Sequence, residues 1–69
     1  MRGDVPFEPR VIHRLSEGDR FAEVWQMHFA QFKIDFSNPT TNYLKVLYFS
    51  EESTALQWAD EWVRGVREV

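Results

Sequence analysis

The chain has 69 residues and a net charge of −3, from 8 basic and 11 acidic side chains. A chain of this length forms one domain and buries only about 60% of the surface that its unfolded form exposes, so its stability margin is small. It contains no cysteine, which excludes disulfides and thiolate zinc sites and leaves association as the available source of extra stability.

Residues 1–9 are predicted to form an extended N-terminal arm, and residues 10–69 a single small α+β domain. The arm contains Gly3, Pro6 and Pro9, and proline fixes φ and removes a backbone donor. Phe7 has two interpretations. It either folds back onto the domain or docks the arm on a partner.

The sequence RVIHRL (10–15) is typical of a strand, and the turn residues Ser16–Asp19 follow it. Gly18 tolerates positive φ at little cost. We predict a three-residue hairpin loop with a G1 bulge at Gly18. The next strand then leaves the turn near Asp19 or Arg20.

The segment that follows fits two structures. A helix would place six large side chains on one stripe: Phe21, Val24, Trp25, His28, Phe29 and Phe32. A strand would place Phe21, Trp25, Met27 and Phe29 on one face. The strand is favoured over Phe21–Phe29, because Gly18 fits poorly in a first helical turn and FKIDF (32–36) continues the alternation. Apolar residues change from odd to even positions near Ala30–Gln31, which predicts a bulge or a sharp bend there.

Residues 37–42 form a turn region by composition, and YLKVLYF (43–49) is typical of a strand. Ser50 is predicted to begin and cap the final helix, with Glu51 and Glu52 in its first turn, where carboxylates are favoured. Gly65 is predicted to end it. Its inward face is predicted to hold five side chains: Leu56, Ala59, Trp62, Val63 and Val66.

These elements predict an α+β fold, in which an antiparallel sheet of three to four strands packs against one C-terminal helix. The chain holds 3 Trp, 2 Tyr and 6 Phe, more than the single core layer under one helix can bury. Exposed apolar patches usually mark interfaces. We therefore predict a partner-binding surface formed by six residues: Trp25, Phe29, Tyr43, Leu47, Phe49 and Trp58.

The sequence contains no evident arrangement of catalytic residues. His13 and His28 are its two imidazoles, and acid–base catalysis would require one of them to work with a carboxylate such as Asp35. The three glycines are far apart and form no phosphate-binding loop. We expect a protein that is not an enzyme and has no catalytic, cofactor-binding or metal site.

The expected function is that of a small non-enzymatic protein–protein interaction module, either a homodimer or an accessory subunit that regulates a larger assembly. No apolar run approaches the ~18 residues of a membrane span, and the N-terminus lacks the apolar stretch of a secretory signal. We therefore expect a cytoplasmic protein that does not contact a membrane.

Two alternatives involve nucleic acid. Aromatic residues on a sheet can stack bases, which would make the chain a nucleic-acid-binding sheet-plus-helix domain. This is disfavoured because clustered cations dominate such binding, and between Phe21 and Phe49 the basic residues are Lys33 and Lys45. The second alternative is an acidic inhibitor that mimics nucleic acid. Its surface would consist of five carboxylates: Glu51, Glu52, Asp60, Glu61 and Glu68.

Overall fold

A computed structural model describes residues 7–69 as a four-stranded antiparallel sheet with one helix packed across it. The elements are β1 (Arg10–Glu17), β2 (Arg20–His28), β3 (Gln31–Asn38), β4 (Tyr43–Phe49) and α1 (Glu52–Val63). The strands lie in the order β1-β2-β3-β4, so every strand pairs with its neighbour in sequence. The predicted α+β architecture is confirmed, whereas residues 1–6 of the arm predicted over 1–9 lie outside the described residues.

The first hairpin has a shorter loop than predicted. Glu17 pairs with Arg20, which leaves Gly18 and Asp19 as the loop. Gly18 has a φ of +61°, and glycine at the first of two loop positions is the requirement of a type II′ turn. The predicted three-residue loop with a G1 bulge is wrong, because a two-residue loop of this type already matches the twist of the strands.

The ambiguous segment is a strand, as predicted, but it is two strands rather than one. β2 ends at His28, a turn at Phe29–Ala30 follows, and β3 begins at Gln31. The bend predicted near Ala30–Gln31 is this turn. The pairing between β2 and β3 is also irregular between Gln26 and His28, so Met27 is the extra residue of a β-bulge.

The core lies between the helix and one face of the sheet, which we call the helix side. Val24, Ile34 and Phe36 are its largest fully buried side chains. The small residues Ala55 and Ala59 let the helix lie close to them. The complete buried apolar set is Ala22, Val24, Phe32, Ile34, Phe36, Ala55, Ala59, Trp62 and Val63.

Trp62 connects the helix to three strands. Its ring meets Phe36 edge-on at 5.8 Å and lies 5.6 Å from the Tyr43 ring. Its indole N–H donates a hydrogen bond to the Phe21 carbonyl at 3.0 Å. The Arg20 guanidinium lies over the Trp62 ring, 4.1 Å from the ring centre. A buried tryptophan with a partner for its N–H combines a large apolar area with orientation.

The two ends of the helix differ in how well they were predicted. The N-cap is Glu51, which makes no side-chain capping bond, so the prediction of a Ser50 cap is wrong. The predicted end at Gly65 is confirmed, with a φ of +78°. The Gly65 N–H bonds to the Trp62 carbonyl and the Val66 N–H to the Glu61 carbonyl, which is a Schellman motif. Val66 is consequently exposed and does not join the inward face as predicted.

The last residues are tied back to the domain. Arg20 donates to the carbonyls of Trp62 at 3.0 Å and Arg67 at 3.4 Å, and its second terminal nitrogen lies 2.7 Å from Glu68. The Tyr43 hydroxyl donates to the Val69 carbonyl. These bonds hold the C-terminal segment beside the helix end, so the helix side of the sheet is closed there.

The Arg67 guanidinium covers the Trp58 ring at 3.9 Å. It also bonds to Glu61 at 2.6 Å. This hydrogen bond, with a second from Gln57, lowers the pKa of the Glu61 carboxyl. The contact protects the flank of Trp58 from solvent.

We predict that Trp62→Ala lowers the free energy of unfolding by about 3–5 kcal/mol, because it removes a buried aromatic and leaves a cavity. Urea unfolding measures the loss, which should be the same at every protein concentration. Val66→Ala is the matched control on the exposed side of the same helix end, and its effect should stay within about 0.5 kcal/mol. Equal effects of the two substitutions would contradict the placement of Trp62 in the core.

Candidate open-face interface

No helix or strand of the described residues packs against the side of the sheet opposite α1, and we call this side the open face. Its side chains alternate with those of the core along each strand. They form three rows of cross-strand neighbours: Ser16–Phe21–Ser37–Leu44, Arg14–Glu23–Asp35–Val46 and Val11–Trp25–Lys33–Tyr48.

The charges of the open face lie near its centre and are paired. Arg14 Nε lies 3.0 Å from Glu23 Oε2, and Lys33 Nζ lies 3.4 Å from Asp35 Oδ1. The Lys33 ammonium also lies over the Trp25 ring at 4.8 Å. The Trp25 indole N–H donates to Glu23 Oε1 at 3.2 Å. Trp25 therefore packs between two ion pairs that fix its orientation.

Asp35 is the least satisfied polar side chain of this surface. Its Oδ1 atom is buried and accepts no hydrogen bond from the described residues. The Coulombic attraction of the Lys33 ammonium offsets the cost of burying this oxygen without a hydrogen bond. The carboxylate lines a depression of about 500 Å³, and Phe21, Glu23 and Leu44 are also among the lining residues. The open face thus contains a depression that is lined by both apolar and charged side chains.

The β4 side of the open face is apolar and strongly exposed. Leu44 is 75% exposed, Val46 45% and Tyr48 60%. β4 is one of the two edge strands of the sheet, so its outward row of backbone groups has no partner strand among residues 7–69. Exposed apolar side chains and an unpaired edge therefore coincide on one strand.

Two of the predicted partner-binding residues are accessible. Trp25 lies half-buried on the open face. Phe29 lies in the β2–β3 turn and is 75% exposed. It packs against Phe7 at 5.2 Å and His28 at 5.3 Å. Phe7 thus contacts the domain, as the fold-back interpretation expected.

The other four predicted residues lie on the helix side. Tyr43, Leu47, Phe49 and Trp58 are partly buried and pack against the core, with Phe49 meeting Trp58 edge-on at 5.3 Å. Their prediction as an uncovered surface is therefore wrong. Lys45 shares their face but is exposed to solvent, whereas its neighbours pack against the core.

The exposed residues that the prediction missed are Phe21, Leu44, Val46 and Tyr48. The sequence does carry a signal for the three residues of β4, because Leu44, Val46 and Tyr48 alternate along the strand with the predicted residues Tyr43, Leu47 and Phe49. Both sets are apolar, so alternation alone does not decide which one faces the helix.

The residues considered for catalysis are not brought together. His13 Nε2 lies 2.9 Å from Glu52 Oε2 on the helix side, whereas Asp35 lies on the open face. His28 packs against the rings of Phe7 and Phe29. Within residues 7–69 there is no group of three or more histidines and carboxylates with the geometry to hold a metal ion.

No family model, curated protein or solved structure matches the chain. Within its described part, the chain has no helix with the length and apolar character that crossing a bilayer requires. The functional proposal therefore depends on the open face and on the strand that borders it.

We predict that Lys33→Met destabilises the protein by about 1 kcal/mol, because it leaves the partly buried Asp35 carboxylate without its cation. The double variant Lys33→Met/Asp35→Leu should lose less stability than the sum of the two single variants. Urea unfolding of all four proteins measures the coupling.

Arg14→Met provides the control, because the Arg14 side chain is 72% exposed and exposed pairs contribute about 0–1 kcal/mol. Strict additivity of the Lys33 and Asp35 effects would show that this pair does not stabilise the fold.

Proposed function

We propose that this protein is a small non-enzymatic protein–protein interaction module that contacts another chain through its open face and the β4 edge. The observation that carries the proposal is the exposure of Leu44, Val46 and Tyr48 on a strand without an outer neighbour. Contiguous exposed apolar surface of this kind marks binding sites. The module acts either as a homodimer or as an accessory subunit of a larger assembly.

The composition of the open face fits this role. Aromatic residues are enriched in protein interfaces and dominate their binding energy, and Phe21, Trp25 and Tyr48 all lie here. The paired charges between them favour one orientation of a partner over others, because electrostatic complementarity contributes mainly to specificity. Phe29 adds an accessible ring at the end of β2 nearest Trp25.

We expect a photoreactive phenylalanine analogue in place of Phe21 to cross-link the protein to a specific chain in cells of its native host. Phe21 is suitable because its ring is exposed on β2, away from the sheet edge. The same analogue in place of Gln57, which is exposed on the outer side of the helix, is the matched control. Denaturing electrophoresis and mass spectrometry of the adducts measure the outcome, and equal labelling from both positions would argue against the open face as the interface.

Nucleic acid binding has one supporting feature, the row in which Lys33 lies between Trp25 and Tyr48. Two aromatic rings beside a cation can stack bases. However, the cations of the open face, Lys33 and Arg14, are both paired with carboxylates. Few phosphates can therefore be neutralised on this surface.

We accordingly predict weak binding to single- and double-stranded DNA at physiological salt. Fluorescence anisotropy at several salt concentrations measures it. The variant Glu23→Gln/Asp35→Asn releases both cations and should bind more tightly, with a steeper dependence on salt. A sub-micromolar affinity of the unmodified protein that falls steeply with salt would favour the nucleic-acid-binding alternative.

The acidic-mimic alternative is less well supported. Asp60, Glu61 and Glu68 each pair with an arginine, and Glu52 pairs with His13. A nucleic acid mimic needs carboxylates that are free to meet the cations of its target. In this protein most of the carboxylates in question are already used within the chain.

A further inference from the structure

The two outer strands of the sheet differ in how well they are protected against pairing with another strand. β1 carries the charged or titratable residues Arg10, His13, Arg14 and Glu17. Its pairing with β2 shifts between Val11 and His13, which makes Ile12 the extra residue of a bulge. Charges and bulges are the usual means of blocking an exposed edge.

β4 has none of these protections except one lysine. Its seven residues, YLKVLYF, contain Lys45 as the sole charge and no proline. All seven pair with β3 in unbroken register, from Asn38–Tyr43 to Phe32–Phe49. A regular, apolar edge of this kind is a template for a further strand.

We propose that β4 pairs with β4 of a second copy of this chain, in antiparallel orientation, about a two-fold axis that passes through Val46. The two sheets then form one continuous sheet of eight strands. The inference rests on the proposed interaction function and deepens it by identifying the partner of this edge as a second copy.

The register follows from the sequence of the strand. With the axis at Val46, each of the seven residues has a partner: Tyr43 faces Phe49, Leu44 faces Tyr48, Lys45 faces Leu47, and Val46 faces itself. In an antiparallel pair, residues directly opposite each other have their side chains on the same face of the sheet. The two-fold axis must therefore pass through a residue, and the two nearest alternative registers place it at Lys45 or at Leu47. An axis at Lys45 would place two lysines opposite each other, which is destabilising. An axis at Leu47 would leave Tyr43 and Leu44 unpaired.

The burial of charge favours edge pairing over stacking of two open faces. Stacking would bury the ion pairs Arg14–Glu23 and Lys33–Asp35, and the desolvation of buried pairs can exceed their Coulombic attraction. Edge pairing leaves these pairs in place. It brings Leu44, Val46 and Tyr48 of the two copies together on one side, with both helices on the other. It also gives the unpaired backbone groups of β4 hydrogen-bond partners.

The test uses the residue on the axis. In Val46→Lys, two lysines face each other in the dimer, and in Val46→Glu, two glutamates do. Each variant alone should dimerise at least about tenfold more weakly than the unmodified protein, because like charges are juxtaposed. An equimolar mixture should recover dimers that contain one copy of each. Sedimentation velocity measures association, and native mass spectrometry identifies the mixed dimer.

Gln57→Lys and Gln57→Glu are the matched controls, since they add the same charges on the outer side of the helix, away from both the open face and the β4 edge. They should leave dimerisation unchanged. Val46 is already partly exposed, so all four variants should fold, which far-ultraviolet circular dichroism verifies. The proposal is overturned if the unmodified protein stays monomeric at high concentration, if either Val46 variant dimerises as well as it does, or if the mixture gives no mixed dimer.

The two proposals fail in different ways. A monomeric protein whose Phe21 position still cross-links to another chain would contradict self-pairing and support the interaction module. The other result is a dimer that each Val46 variant weakens and that the mixture of the two restores, with no specific adduct from the Phe21 position. This result would support self-pairing and contradict the open face as an interface.

Discussion

The packing of one helix against one side of the sheet determines which apolar side chains are buried and which remain exposed. A helix of twelve residues is about 18 Å long, which is enough to cross the strands once. Trp62 fixes this crossing through contacts with Phe36, Tyr43 and the Phe21 carbonyl. The fully buried apolar residues are therefore concentrated on the helix side. Among the described residues, nothing packs over the apolar side chains Phe21, Leu44, Val46 and Tyr48 on the other side, and they are exposed.

β4 carries apolar residues on both sides of the sheet. Tyr43, Leu47 and Phe49 complete the core, while the alternate residues face outward. The strand thus contributes to stability with one face and exposes apolar side chains on the other. Substitutions on its two faces should have separable effects, although neighbouring residues belong to the same short element.

Much of the architecture could be predicted from the sequence because the local signals were strong. The glycine at position 65, the turn composition of residues 37–42 and the alternation in 32–36 each favour one structure. The turn at Phe29–Ala30 was harder to locate because it contains neither glycine, proline nor asparagine. The exposed apolar surface was predicted only in part. Apolar residues occupy both faces of β4. Which face is buried depends on contacts with the helix, which follows β4 in the sequence.

The bulge at Ile12 and the charges of β1 have a consequence for the size of any assembly. A sheet with two open edges can add strands without limit, which is the route to fibrils. Here one edge is twisted and charged, so growth is possible on one side alone. Once β4 has acquired a neighbouring strand, no regular apolar edge remains among the described residues. An irregularity in the first strand would thereby make the proposed association through the last strand self-limiting, so that the apolar edge of β4 need not seed aggregation.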